Sequence, residues 1–183
     1  MAIKKTSREE ILKHSIKLFK LNGYSNTSMA NIASECGLIK GSIYHHFKSK
    51  DEIGIESLKY IHKYFKDEVF NIAFENNLTN KQKMELLVKK TDEYFLSSQG
   101  GCLLGNIALE LSFEEEAFRN EIRSYFTDWE NALEYILRQK YKNEARSIAK
   151  EYIALMQGSI MMMNLYDTHE EYLKVGRKII NLL

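Results

Sequence analysis

Residues 40–50 of the chain read KGSIYHHFKSK and place Lys40, Ser42, Tyr44, His45, His46 and Lys50 within three turns of a helix or less. Every one of these side chains can donate a hydrogen bond, and two of them carry a fixed positive charge. Ile43 and Phe47, four apart, supply one apolar edge that can anchor such a segment to a core. That leaves a dense set of donors facing outward, suited to base edges and phosphates in a DNA major groove. Just upstream, Thr27 and Ser28 can cap a helix and offer hydroxyls and a helix N-terminus to a phosphate.

The elements that position these residues follow from spacing. Met29, Ile32 and Ala33 fall at i, i+3 and i+4 behind the Ser28 cap, which predicts a short helix. Gly37 permits the left-handed exit that a residue with a Cβ disfavours. Leu38 and Ile39 are expected to anchor the turn, and a second short helix is expected over Lys40–Phe47. Two short helices around a tight turn make a helix-turn-helix. A preceding helix opens with Ser7 and Glu10 in capping-box spacing and buries Ile11, Leu12, Ser15, Ile16, Leu18 and Phe19 before Asn22-Gly23 ends it. That helix is expected to bring Lys4, Lys5 and Arg8 near the phosphate backbone.

These residues carry a resemblance. Gly23-Tyr24, Thr27-Ser28-Met29, Ile32-Ala33, Gly37, Lys40 to Phe47 and Ser49-Lys50-Asp51-Glu52 follow the pattern G-Y-x-x-T-S-M-x-x-I-A, a Gly, K-G-S-I-Y-x-H-F and S-K-x-E. This is similar to the N-terminal domain of the TetR family of transcriptional regulators and covers about the first third of the chain. Cys36 stands where the family usually carries Ala; its small size preserves the turn. The resemblance implies that Lys40, Ser42, Tyr44 and His45 face bases or nearby phosphates. It implies that His46, Lys50 and Thr27 or Ser28 hold the DNA backbone. It also implies a homodimer on a palindromic operator, with a small-molecule effector taken up by a helical body.

Composition fits that division. The 183-residue chain has no proline, and its apolar residues recur at helical rather than alternating spacing, so an all-α fold is expected. The net charge of +1 hides an asymmetry, because residues 1–48 hold eight Lys/Arg against three Glu, a net of +5 that leaves −4 for the remainder. A basic head and an acidic body suit nucleic acid at one end only. The expected domains are a helix-turn-helix domain, 1–48, and an effector-binding and dimerisation domain, 49–183. No apolar run approaches the ~20 residues a bilayer span needs. Two distant cysteines fit a reducing compartment, so a cytoplasmic protein is expected.

In the body, the periodicity predicts a long helix over Ser49–Glu75 that couples head to body. Further helices are predicted over about Asn80–Ser97, from the Gly100-Gly101 break to Ser112, from Glu114–Glu116 through Leu137, and over Asn143–Tyr166 and Thr168–Leu183. The GGCLLGN segment, 100–106, resembles one branch of the same family, some of whose regulators sense electrophiles through a similarly placed cysteine. Cys102 at a helix N-terminus would have a lowered thiol pKa; the other reading is a small packing residue beside Gly101 and Gly105. Tyr94, Phe95, Phe113, Tyr125, Phe126 and Trp129 make the body aromatic, and Met161-Met162-Met163 is adaptable. Cys102, Asn106, Glu110, Trp129 and Met162 are the candidate effector-lining residues, with core packing the alternative for each.

The helix through Tyr152, Met156, Ser159, Met163 and Tyr166 is apolar on a second face too, through Ile153, Ile160 and Leu165. With Gly158 allowing close approach and Ile179–Leu183 beside it in the family fold, it suggests a two-fold helical dimer interface. Catalytic and metal signals are absent from the sequence. His45-His46 cannot both reach one metal, His169-Glu170-Glu171 lacks a second His at i+4, and there is no phosphate loop or nucleophile elbow. The sequence thus points to a signal-responsive repressor without cofactor or metal, released by a reversible ligand or by modification of Cys102. A helical enzyme or interaction module is the rival class, and it leaves the Lys40–Phe47 pattern unexplained.

Overall fold

The computed structural model describes residues 6–111 and 115–183, and all regular structure among them is helical. In chain order the α-helices are α1 Arg8–Asn22, α2 Met29–Glu35, α3 Lys40–Ile43, α4 Lys50–Glu68, α5 Asn80–Leu96, α6 Leu103–Glu110, α7 Glu116–Tyr141, α8 Ala145–Tyr166 and α9 Glu170–Ile180. Short 3₁₀ turns follow α4 at Phe70–Phe74 and α7 at Lys142–Glu144. Lys4 and Lys5, Ser112, Phe113 and Glu114 lie outside the described residues. Among those described, no helix is long and apolar enough to cross a membrane.

The chain forms two compact units, one of Met1–Ile61 with Leu103–Ile122 and one of His62–Cys102 with Arg123–Leu183. This packing division differs from the division at residue 48 drawn from the motif: α6 and the start of α7 join the head, and α4 and α7 each belong partly to both units.

The first unit is built by caps and a small apolar core. Ser7 and Glu10 close a reciprocal capping box on α1, and Ser28 and Asn31 do the same on α2. Ile11, Phe19, Ile32, Ile43, Phe47 and Ile53 are fully buried, and Leu104, Ile107 and Phe118 complete the unit. At Gly54 an added Cβ would stand 2.7 Å from the Tyr24 ring and 2.8 Å from that of Phe118, so only glycine lets α4 approach them. Phe19, Tyr24 and Phe118 form an edge-to-face chain with centroids 5.1 and 5.2 Å apart.

In the second unit the helices close around aromatic rings. Phe65 meets Tyr94 at 4.7 Å and Tyr125 at 5.4 Å, and Phe70 stacks on Trp129 at 6.0 Å. The long helix expected to reach Glu75 ends at Glu68 instead. Val69 leaves helical geometry, and the tighter 3₁₀ turn buries Phe70, Ile72 and Ala73 together against this cluster. Thr79 and Gln82 form a third capping box at α5. The C-terminal tail is tied down where Lys140 Nζ and Tyr141 Oη donate to the Leu182 carbonyl at 2.7 and 2.9 Å.

Candidate functional site

The turn between α2 and α3 is a Schellman motif. Gly37 has φ +67°, its amide donates to the Ser34 carbonyl at 3.0 Å, and the Leu38 amide donates to Ala33 at 2.8 Å. Ile39, expected to anchor this turn, is 77% exposed. The anchoring falls to Ile43 and Phe47, both buried. Regular helix stops at Ile43 rather than running to Phe47. The His45 and His46 amides continue it with three-residue turns to Ser42 and Ile43, and the Phe47 amide reaches Ile43 at 2.9 Å. Gly41 and the β-branched Ile43 give little helical propensity to a segment this short, so tertiary burial sets its shape.

The outward face of that segment carries Lys40, Tyr44 and His45, all exposed, with Ser42 and His46 half-buried. Two of the other sequence candidates do local work. The Thr27 side chain is buried, and its hydroxyl donates to the Gly23 carbonyl at 2.7 Å. Lys50 Nζ donates to the Tyr24 and Ser25 carbonyls at 3.0 and 3.4 Å and lies 4.3 Å over the Tyr24 ring. Ser28 is exposed at its cap, with Oγ accepting from the Asn31 amide at 3.2 Å.

Arg8, expected near the DNA backbone, lies along the surface of the head with its side chain half exposed. Its guanidinium donates to the His46 carbonyl and to Glu52 Oε1 and lies 4.0 Å over the Phe47 ring. Glu52 in turn accepts the Lys48 amide at 2.7 Å. The Arg8–Glu52 pair thus fixes the end of the recognition segment against α4. In the sequence Glu52 stands only as the last residue of the S-K-x-E pattern; its partner lies 44 residues away, and no local pattern announces it.

The five effector candidates are divided between the two units. Trp129 and Cys102 lie in the core of the second unit, 0% and 4% exposed. Asn106 and Glu110 belong to the first unit. The Glu110 carboxylate accepts the Tyr24 amide at 3.0 Å and the Ser25 amide at 2.8 Å, so it serves the head. Met162 is on the outer face of α8 and partly exposed. The second unit holds a set of buried donors, of which sequence alone singled out only Trp129 as effector-lining. Among the described residues, Trp129 Nε1 and the hydroxyls of Tyr125 and Tyr152 are buried without a hydrogen-bond partner. Burial, followed for Tyr125 by the nearby Cys102 and Tyr94, raises both phenol pKa values far above the usual range and keeps them as donors. A buried polar atom left unpaired costs stability, and such groups gather where a ligand completes them.

Comparison with known proteins matches two regions of the chain. The family described as "Bacterial regulatory proteins, tetR family" matches residues 11–56. The family "Transcriptional regulator LmrA/YxaF-like, C-terminal domain" matches residues 81–178, more than half of the chain. The HTH-type transcriptional regulator LmrA of Bacillus subtilis (strain 168) is 27% identical over 161 residues, 85% of each chain. The HTH-type transcriptional repressor DhaR of Mycobacterium sp. (strain GP1) is 27% identical over 176 residues, covering 89% of this chain and 85% of that one. A TetR transcriptional regulator from Legionella pneumophila superposes with a TM-score of 0.87 over the whole of both chains at 24% identity. The exposed donors on a helix-turn-helix and the match of both regions lead to one conclusion: this chain belongs to the TetR family and is a DNA-binding transcriptional regulator, not an enzyme.

Proposed function

We propose that the chain acts as a homodimeric repressor that leaves a palindromic operator when a small molecule occupies the second unit. The observation that carries the DNA half is the exposed Lys40–Tyr44–His45 patch on a segment anchored by Ile43 and Phe47. Lys40, Ser42, Tyr44 and His45 reach base edges and adjacent phosphates, and His46 and Ser28 hold the backbone. Thr27 and Lys50 act one step behind, by fixing the turn that presents α2. Two heads related by a two-fold axis meet half-sites about 34–36 Å apart when these lie one helical turn apart.

The effector half rests on the unpartnered donors of Tyr125, Tyr152 and Trp129 in an otherwise aromatic core. The effector is an acceptor-bearing apolar molecule, and it weakens DNA binding by the difference between its affinities for the two states. Cys102 and Trp129 remain on its lining; Glu110 does not, since its oxygens are bound to the head. The operator is found by letting the wild-type dimer select duplexes from a randomised pool, and a two-fold repeat is the expected product. Tyr44→Ala should fold and dimerise normally yet bind that duplex more weakly, by about 1–3 kcal/mol for every base that Tyr44 reads in each of the two heads. A folded Tyr44→Ala variant that binds like wild type would sink the assignment of this face.

A further inference from the structure

We infer that Glu110, a residue of α6 outside the helix-turn-helix, is a positioning residue for DNA binding: it holds the Gly23–Ser25 turn in the pose from which α2 is launched. This rests on the reading of the first unit as the DNA-binding head. The two carboxylate oxygens of Glu110 accept two successive backbone amides, those of Tyr24 and Ser25, at 3.0 and 2.8 Å. From the other side Lys50 Nζ takes the carbonyls of the same two residues. Both donors and both acceptors of this dipeptide are therefore held by side chains of opposite charge, contributed by α6 and α4. The Tyr24 side chain adds a third tie, donating from its hydroxyl to Asp51 at 2.5 Å. Gly23, at φ +84°, has no Cβ, and one placed there would come within 3.3 Å of the Glu110 oxygens. The turn runs directly into Thr27, whose hydroxyl returns to the Gly23 carbonyl, and Ser28, the N-cap of α2. Shifting the Tyr24–Ser25 peptide therefore shifts the start of the helix-turn-helix.

Electrostatics makes the role testable by sign. A carboxylate at the last residue of α6 opposes that helix's dipole, and beside the C-terminal end of α1 it opposes a second. It also adds negative charge to the unit that must approach phosphates. Charge alone therefore requires that neutralising Glu110 strengthen DNA binding. A positioning role requires the reverse, because charge-assisted bonds to two amides are lost.

Two variants separate reach from charge. E110D keeps the charge and withdraws the oxygens by one methylene; E110Q keeps the reach and removes the charge. Measured on the duplex that wild-type protein selects, E110D should bind about tenfold more weakly, the equivalent of about 1.4 kcal/mol. Its dimer and its thermal unfolding should be retained, and hydrogen exchange by mass spectrometry should accelerate in the peptide containing Tyr24 and Ser25. E110Q should also bind more weakly than wild type, because its amide keeps one acceptor oxygen and turns an NH2 donor toward the other backbone amide. E110D with wild-type affinity, or E110Q at or above it, overturns the inference. Should E110D fail to fold, E110Q decides by the same comparison. The exchange measurement contains no DNA, so it fails or succeeds independently of the operator reading, whose own failure shows as a wild-type protein that selects no two-fold sequence.

Discussion

Cys36 is the C-cap residue of α2, and burial first, then Glu35 and Glu10, push its thiol pKa up to about 11. A thiolate beside two carboxylates is disfavoured, so at neutral pH this sulfur is a packing atom. Cys102 is inaccessible for a different reason. Its residue is 4% exposed, so no open approach to its sulfur exists in this conformation. A thiol reagent should therefore label native protein slowly at both positions at pH 7. The Cys36 rate should climb about tenfold per pH unit and continue past pH 9 instead of levelling there, since a raised thiol pKa moves ionisation to higher pH. Rapid Cys102 labelling in native protein at pH 7 would show that the core opens and would revive modification of Cys102 as the signal. If Cys102→Ser then keeps its operator affinity after treatment while wild type loses it, Cys102 is the sensor. Alkylation at Cys36 must be mapped in the same sample, since it lies within the helix-turn-helix.

At the scale of elements, the caps of α1 and α2 and the start of α5 near Asn80 were legible because they are local: Ser7 with Glu10, and Ser28 before Met29, Ile32 and Ala33 on one face. The Thr79–Gln82 box that opens α5 is equally local but was not singled out. The shortness of α3 and the break of α4 at Val69 were not legible, since each is decided by burial against distant residues: Ile43 and Phe47 in the head, and Phe70 on Trp129 in the body. The same holds for pairs such as His62 Nε2 with Asp128 Oδ2 at 3.0 Å, which Lys66 Nζ also reaches at 3.2 Å. Nothing in the spacing of α4 or α7 marks that meeting. Gly54 shows what such long-range constraints cost to violate. Gly54→Ala would drive a Cβ to within 2.7–2.8 Å of two rings, Tyr24 packed on Phe19 and Phe118 packed on Tyr24, with little room to yield. Overpacking of this kind should destabilise by about 1–3 kcal/mol, against a helix-propensity gain of up to about 1 kcal/mol. Urea denaturation should show a lowered midpoint with an unchanged slope. A midpoint at or above that of wild type would mean that Tyr24 and Phe118 move freely, and with them the turn that Glu110 holds.

The whole molecule turns on what α8 leaves outside. Of the stripe Tyr152, Met156, Ser159, Met163 and Tyr166 read from its sequence, all but Tyr166 are buried within the chain. Of the second face, Ile153, Ile160 and Leu165, Ile160 is buried and Leu165 exposed. The other side carries Leu155, Met161, Met162, Leu165 and Tyr166, exposed up to 67%, around Gly158. Leu155, Gly158, Met162 and Leu165 follow at i, i+3, i+7 and i+10, a continuous stripe that a monomer would leave in water. The sequence could show that two faces are apolar, but not which of them the chain itself covers; that depends on how α8 and α9 pack. Among the described residues, a Cβ built on Gly158 meets nothing within 4 Å beyond its own helix backbone and chain neighbours, so a larger residue there leaves the folded subunit intact. In a dimer crossing at that point, the same residue meets the partner helix. Gly158→Glu should therefore retain helical content and monomer packing while losing self-association, because an unpaired charge buried in an apolar crossing costs several kcal/mol. Analytical ultracentrifugation should report monomers at concentrations where wild type is dimeric. Operator binding should fall far more than removal of any one DNA-facing side chain would cause, since the second head no longer comes at the effective concentration set by the first. A Gly158→Glu protein that sediments as a dimer and binds its operator normally would move the interface off this stripe.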